Sequence, residues 1–334
     1  MFSFKTLRHA FVCGFAVVFF VGRLRGGTGE ESDRLFAQVC QAHAELSYAE
    51  ISLRAHVIST RSFTNLPESA RAHWKKEGVD TDRPHVFSDS MFSIFGESAR
   101  ESGVDRKGME YVKCRNPEYA FLIARSERIP KYAIQLLEKN GDESRLAERI
   151  KDEVADVISV PLAGFYMIGI PLSELFDSLD FKLKNCSELV QNEKRLVKVE
   201  FEYKPLRPPR MLDAYILINP MENWRIEQYS YSQVADTHVE GKITYRSKNG
   251  GVPIPSKITQ IGLGSRSPAT SETVWDIEVL PEQVDAKEFF LSHYGLPEPN
   301  FAQRMFGGWA YYFLGAAVCV CASFGVSRWR RRAR

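Results

Sequence analysis

The chain has 334 residues, with 44 Lys and Arg against 42 Asp and Glu, a formal net charge of +2 and 44% hydrophobic residues. The charge is unevenly placed: residues 1–29 carry four basic and no acidic side chains, residues 306–334 five basic and no acidic ones, and taking these nine from +2 leaves −7 for the middle. A mildly acidic middle excludes the basic stripe that neutralises phosphates, so no nucleic-acid partner is expected.

At the N-terminus Lys5 and Arg8 precede the apolar run Ala10–Gly22. Thirteen residues cover only about 20 Å as a helix, short of a comfortable span, and a basic head before a short apolar run is the pattern of a secretory signal peptide. Gly27 and Gly29, just before Glu30, form the best pair for cleavage. Arg23 and Arg25 directly after the run keep an uncleaved anchor open as the alternative. Residues 1–29 are therefore read as signal peptide or N-terminal anchor, and either way the middle is exported. Cys13, preceded by Phe11 and Val12, has no lipid-attachment context.

Residues 30–302 read as one exported domain without a long Gly/Ser/Pro linker. Glu30–Leu46 places Leu35, Val39, Ala42 and Leu46 on one helical face, with Ser32 or Asp33 as cap. From Ser47 the period changes to two: Ala49, Ile51, Leu53, Ala55 and Val57 alternate with Glu50, Ser52, Arg54 and His56, predicting a strand with one dry face. Asn65–Pro84 is polar and loop-like, with room for a short helix. Val86–Phe95, Gly108–Arg115, Tyr119–Ala124 and Ile134–Glu138 are short strands. Helical spacing returns over Asp142–Ile158, through Leu146, Ile150, Val154 and Val157, and again over Pro171–Leu179.

The second half predicts strands at Phe181–Val190, Leu196–Lys204, Ala214–Asn219, Trp224–Tyr231, His238–Arg246, Ile254–Leu263 and Glu272–Val279, joined by short turns. Strands in succession without helices between them favour an α+β fold with a large, curved, half-barrel-like antiparallel sheet covered by a few helices. Such a sheet encloses a cavity wherever its side chains leave the interior unfilled.

Gly307–Val326 is twenty residues without a charge, about 30 Å as a helix, long enough to span a bilayer. Trp309, Tyr311 and Tyr312 are its aromatic anchors, and Arg328, Arg330, Arg331 and Arg332 begin a basic tail, residues 327–334, expected in the cytoplasm. The sequence thus predicts a single-pass protein of the cytoplasmic (inner) membrane, its bulk on the extracytoplasmic, periplasmic side and membrane lipid its first partner. Gly315, Cys319 and Ser323 recur every fourth residue, a small-residue face suited to pairing of two such helices.

The first helix leading directly into the Ser47–Ser59 strand, the Leu196–Tyr203 and Ala214–Tyr231 strands with Asn219-Pro220 between them, and the Tyr294-Gly-Leu-Pro-Glu-Pro299 ending give an element order that resembles the LolA-like lipoprotein-carrier fold. It also resembles large exported bacterial proteins of unknown function that end in one spanning helix. The resemblance covers residues 30–300 and implies an apolar cavity for a lipid or a lipoprotein acyl chain. It supplies no individual ligand residues. A tether at Gly307–Val326 departs from soluble carriers that shuttle between membranes.

No chemistry-bearing constellation stands out. His9, His43, His56, His73, His85, His238 and His293 are scattered without the spacing of a metal site, no G-x-S-x-G elbow occurs, and Gly262–Ser267 lacks the lysine of a phosphate loop and reads as a hairpin. Glu200 and Glu202 on one strand face, and Asp152, Glu153 and Asp156 on one helix, read as solvated faces. No cofactor or metal is expected, and an enzyme ranks below a binding protein or an envelope scaffold that holds a protein partner. Cys40, Cys114 and Cys186 are read as buried thiols, with one disulfide as the alternative. Aromatic residues crowd the strand-rich half. Phe201, Tyr203, Trp224 and Tyr229 are either sheet core or the lining of a lipid site.

Overall fold

A computed structural model describes residues 29–46, 51–76, 79–105, 107–139, 159–206, 210–233, 237–246, 252–264 and 270–301. Helix α1 (Glu30–Ala44) leads into strand β1 (Ser52–Thr64). The short helix α2 (Glu68–Lys76) follows, then β2 (His85–Phe95), β3 (Ser98–Val104), β4 (Glu110–Arg115), β5 (Tyr119–Ser126) and β6 (Ile129–Lys139). A small hairpin, β7 (Tyr166–Met167) and β8 (Ile170–Pro171), precedes helix α3 (Leu172–Asp177). Seven strands complete the sheet: β9 (Phe181–Gln191), β10 (Lys194–Tyr203), β11 (Met211–Asn219), β12 (Arg225–Gln233), β13 (Thr237–Tyr245), β14 (Pro255–Gly264) and β15 (Thr270–Leu280).

Thirteen strands form one antiparallel sheet in the order β6-β5-β4-β3-β2-β1-β15-β14-β13-β12-β11-β10-β9. Two meanders therefore run outward from the middle, where the first and last strands pair over eleven positions from Arg54–Leu280 to Thr64–Thr270. The sheet is open, with β6 and β9 at its edges, and it does not close into a barrel.

Alternation along β1 sends Leu53, Ala55 and Val57 to a buried inner face, as the period of two predicts. That face packs against Leu35, Phe36 and Val39 of α1 and Leu172, Leu175 and Phe176 of α3, in one core that reaches from Ala120 of β5 to Cys186 of β9. Phe36 stacks on Phe181 at 5.6 Å and meets Phe176 edge-on at 5.3 Å, which closes the helix-to-sheet seam. The expected side-chain cap on α1 is corrected: Gly29 is the N-cap, and the Ser32 hydroxyl instead accepts the Cys186 amide at 2.8 Å, tying the helix to β9.

Strand β3 escapes sequence reading because Ser98-Ala-Arg-Glu-Ser-Gly-Val104 has polar residues on both faces. The outer face explains half of that pattern. After β15 the chain folds back as two 3-10 turns, Ala286–Phe289 and Leu291–Tyr294, which cover the outside of β4 and β5. Phe289 and Leu291 are fully buried there with Val112, Cys114, Tyr119, Phe121 and Ile123. Glu288 bridges Arg54 at 2.5 Å and Arg100 at 2.7 Å, Asn116 donates to the Phe289 carbonyl at 2.8 Å, and the Tyr119 hydroxyl donates to Glu298.

Cys114 and Cys186 are buried free thiols and Cys40 a half-buried one. Burial pushes the Cys186 thiol up to about 12 and raises the other two as well. The predicted Asp142–Ile158 helix and the Gly307–Val326 span lie outside the described residues. Among the described residues no helix is long and apolar enough to cross a membrane.

Candidate binding cavity

Between the inner face and the segment from Ser159 to Gly169 lies a cavity of about 520 Å³, inside the size range of small-molecule sites. Its wall comes from seven strands spread over eight neighbouring positions of the sheet, from Tyr111 on β4 to Tyr229 and Tyr231 on β12. Laid flat, those strands would span about 34 Å at about 4.8 Å between neighbours. Sharing one cavity requires the sheet to curl around it. Val160, Ala163, Tyr166, Met167 and Ile168 form the lid, which the Gly164 carbonyl fastens to β12 by accepting the Ile226 amide at 2.8 Å.

Space survives inside because two tyrosines lie down instead of standing up. Tyr229 faces Gly241 across the strand pair, and its ring lies over the bare backbone there: a Cβ on Gly241 would stand 2.0 to 2.4 Å from three ring atoms. Its hydroxyl passes on to Gln260, one strand further, at 3.0 Å. The register row continues through Thr273 to Arg61, whose Nε donates to the Thr273 hydroxyl at 3.2 Å. Tyr111 repeats the device on the other side of the cavity. It faces Gly103, where a Cβ would meet its hydroxyl at 3.1 Å, and reaches Ser90 one strand further at 3.1 Å. Glycine opposite an aromatic residue is a known way to let a ring cover sheet backbone.

The lining is amphipathic. Val57, Phe92, Ile258, Trp275 and Met167 supply apolar wall, while Glu101, Lys113 and Arg61 bring charge. Arg61 lies 4.1 Å over the Phe87 ring. Glu101 is 8% exposed, and its Oε1 accepts from the Tyr111 hydroxyl at 2.7 Å and from Ser90 at 3.2 Å. Burial first, then the Glu101 charge, raises the Tyr111 phenol, and burial likewise holds Tyr231 up to about 12. These phenols therefore stay protonated and act as donors.

Of the four aromatic candidates read from the sequence, Tyr229 lines this cavity. Phe201 is fully buried and stacks on Phe181 at 5.1 Å, and Tyr203 and Trp224 pack against the main core. The anchor residues Trp309, Tyr311, Tyr312, Arg328, Arg330, Arg331 and Arg332 lie outside the described residues. Sequence reading missed Glu101, Tyr111 and Lys113; the one available signal was Ser102-Gly103 and Gly108 flanking a strand-like run, too common to mark a site. Gly262 and Gly264 belong to β14, which pairs antiparallel with β15, in keeping with the hairpin reading of Gly262–Ser267. Among the described residues no group of three His, Cys, Asp or Glu side chains could hold a metal ion.

No family model and no curated protein matches this chain. Among solved structures it is similar to a LolA superfamily protein from Nitrosomonas europaea, at 9% identity and a TM-score of 0.42 over 77% of this chain and 98% of that one. An outer membrane lipoprotein-sorting protein domain from Vibrio parahaemolyticus gives 7% identity and a TM-score of 0.41, covering 80% and 99%. A DUF1329 family protein from Desulfovibrio piger gives 10% and 0.35, covering 78% and 99%. Similarity at this level leaves function to the cavity itself.

Proposed function

We propose that this chain is a membrane-tethered extracytoplasmic binding protein whose cavity holds a lipid or a lipoprotein acyl chain. The observation that carries the reading is the unfilled 520 Å³ between sheet and lid, walled on most sides by apolar residues. A cavity that served packing alone would be filled, because voids lose dispersion contacts on every wall. The tether is Gly307–Val326, with Arg328, Arg330, Arg331 and Arg332 on the cytoplasmic side of the inner membrane. Residues 30–302 would then stand outside the cytosol, next to a lipid reservoir.

The test is uptake of an environment-sensitive acyl probe by the full chain in lipid nanodiscs. Fluorescence that saturates at about one probe per chain, and falls when unlabelled amphiphile competes, is expected. Signal equal to that of empty nanodiscs would end the proposal. Protease added to sealed spheroplasts tests the topology separately: the bulk of the chain should be digested, and full protection would reverse the orientation.

A second reading, an envelope scaffold that takes a partner's strand, draws on the sheet edges. Among the described residues strand β6 has a neighbour only on the β5 side, with Ile129 63% and Ile134 40% exposed. Exposed edges of this kind accept an added strand. Crosslinking in intact membranes that recovers only the monomer would remove this reading.

A further inference from the structure

The cavity's polar end is built around one buried carboxylate. Register places Phe92, Glu101 and Lys113 in line across β2, β3 and β4, with Ala55 of β1 next in the row. Both O–H donors, Tyr111 and Ser90, converge on Glu101 Oε1. Oε2 meets Lys113 Nζ at 3.8 Å, an ion-pair contact longer than a hydrogen bond. A carboxylate offers about four acceptor sites. Oε2 is thus a charged acceptor on this wall that a guest can complete.

Resting on the binding function proposed above, we infer that Glu101 seats the polar end of the guest, and that this end is an uncharged hydrogen-bond donor, a hydroxyl or an amide N–H, in place of a carboxylate. Three observations fix the chemistry. Among the described residues Glu101 is the acidic one on the cavity wall, so a guest carboxylate at this end meets a like charge at low dielectric. Lys113 stands directly opposite Glu101 and offsets its charge, which leaves little attraction for a second anion. Arg61 lies four residues along β1 from Val57, the β1 partner of Ser90, about 13 Å at about 3.3 Å per residue, and belongs to the opposite end of the site. A fatty acid turned end for end toward Arg61 would press its methyl terminus on Oε2 and strip that oxygen of water without replacing it, which is costly for a charged group.

The measurement uses the full chain in lipid nanodiscs, with a photoactivatable monoacylglycerol and a photoactivatable fatty acid of the same chain length. Labelled peptides from β2–β4 and from 159–169 are counted by mass spectrometry. At equal membrane concentration the monoacylglycerol should label them about tenfold more than the fatty acid, the effect of one hydrogen bond to a charged acceptor. Glu101→Gln, which keeps the shape and removes the charge, should bring the ratio to within about twofold of one. Equal labelling in the unmodified chain, or a tenfold ratio that survives Glu101→Gln, overturns this inference while leaving the binding function standing. Absence of labelling by both probes overturns the two together.

Discussion

Replacing Gly241 with alanine should destabilise the protein, against the usual sign for that change. The Gly241 backbone is not in the left-handed region, and on backbone entropy alone Gly→Ala inside a strand stabilises by roughly 0.5–1 kcal/mol. Here the new Cβ would stand 2.0 to 2.4 Å from the Tyr229 ring, so the ring has to rise into the cavity. Rising breaks the 3.0 Å hydrogen bond to Gln260, worth about 1 kcal/mol, and the forced repacking costs about 1–3 kcal/mol more. The net expectation is a loss of about 1–3 kcal/mol with a smaller cavity and weaker uptake of an acyl probe. Chemical denaturation of Gly241→Ala, Tyr229→Ala and the double variant reads the coupling directly. In the Tyr229→Ala background the Gly241→Ala step should become neutral or stabilising. A Gly241→Ala variant that is neutral or stabilised with Tyr229 in place would refute the reasoning.

Other expectations follow from the same packing. Glu288→Gln leaves Arg54 and Arg100 half-buried on the outer face without their shared carboxylate, and should cost about 2–4 kcal/mol by chemical denaturation. His43 is buried against Phe165 and Phe176, and desolvation lowers its pKa from 6.5 to about 4. The folded state thus resists protonation while the unfolded state accepts it: stability fully present above pH 6.5 is lost as the pH falls toward 4, by about 3 kcal/mol over 2.5 units at 1.36 kcal/mol each. His43→Phe should flatten the stability profile in that window. Maleimide should leave Cys40, Cys114 and Cys186 unlabelled in the native protein and label them after unfolding, because buried, upshifted thiols are poor nucleophiles.

Much of the sheet is legible in the sequence because its strands alternate cleanly; Val197, Val199 and Phe201 face the core of β10 as the period of two dictates. Strand β3 is not legible, since Glu101 faces inward to a polar seat while Arg100 faces outward to Glu288, and neither side shows a hydrophobic stripe. The cover over β4 and β5 is hidden for a different reason. Two four-residue 3-10 turns carry no periodicity, so Phe289 and Leu291 read as loop residues until the fold brings them against Phe121. Of the aromatic residues that crowd the strand-rich half, Tyr229, Tyr231 and Trp275 line the cavity, while Phe201 is sheet core. Whether a strand aromatic stands into the core, as Phe201 does, or lies flat beside a cavity depends on the residue opposite, and Gly241 is identified as that residue only by the register.

The central claim is that the space between sheet and lid holds an amphiphile. Native mass spectrometry of the full chain, compared with an Ala163→Trp variant whose indole fills the cavity from the lid, tests it most directly. About one amphiphile adduct per chain on the unmodified protein, and well under half of that on Ala163→Trp at unchanged thermal stability, is the predicted result. A protein that carries no such adduct, or a variant that carries as much as its parent, would contradict it.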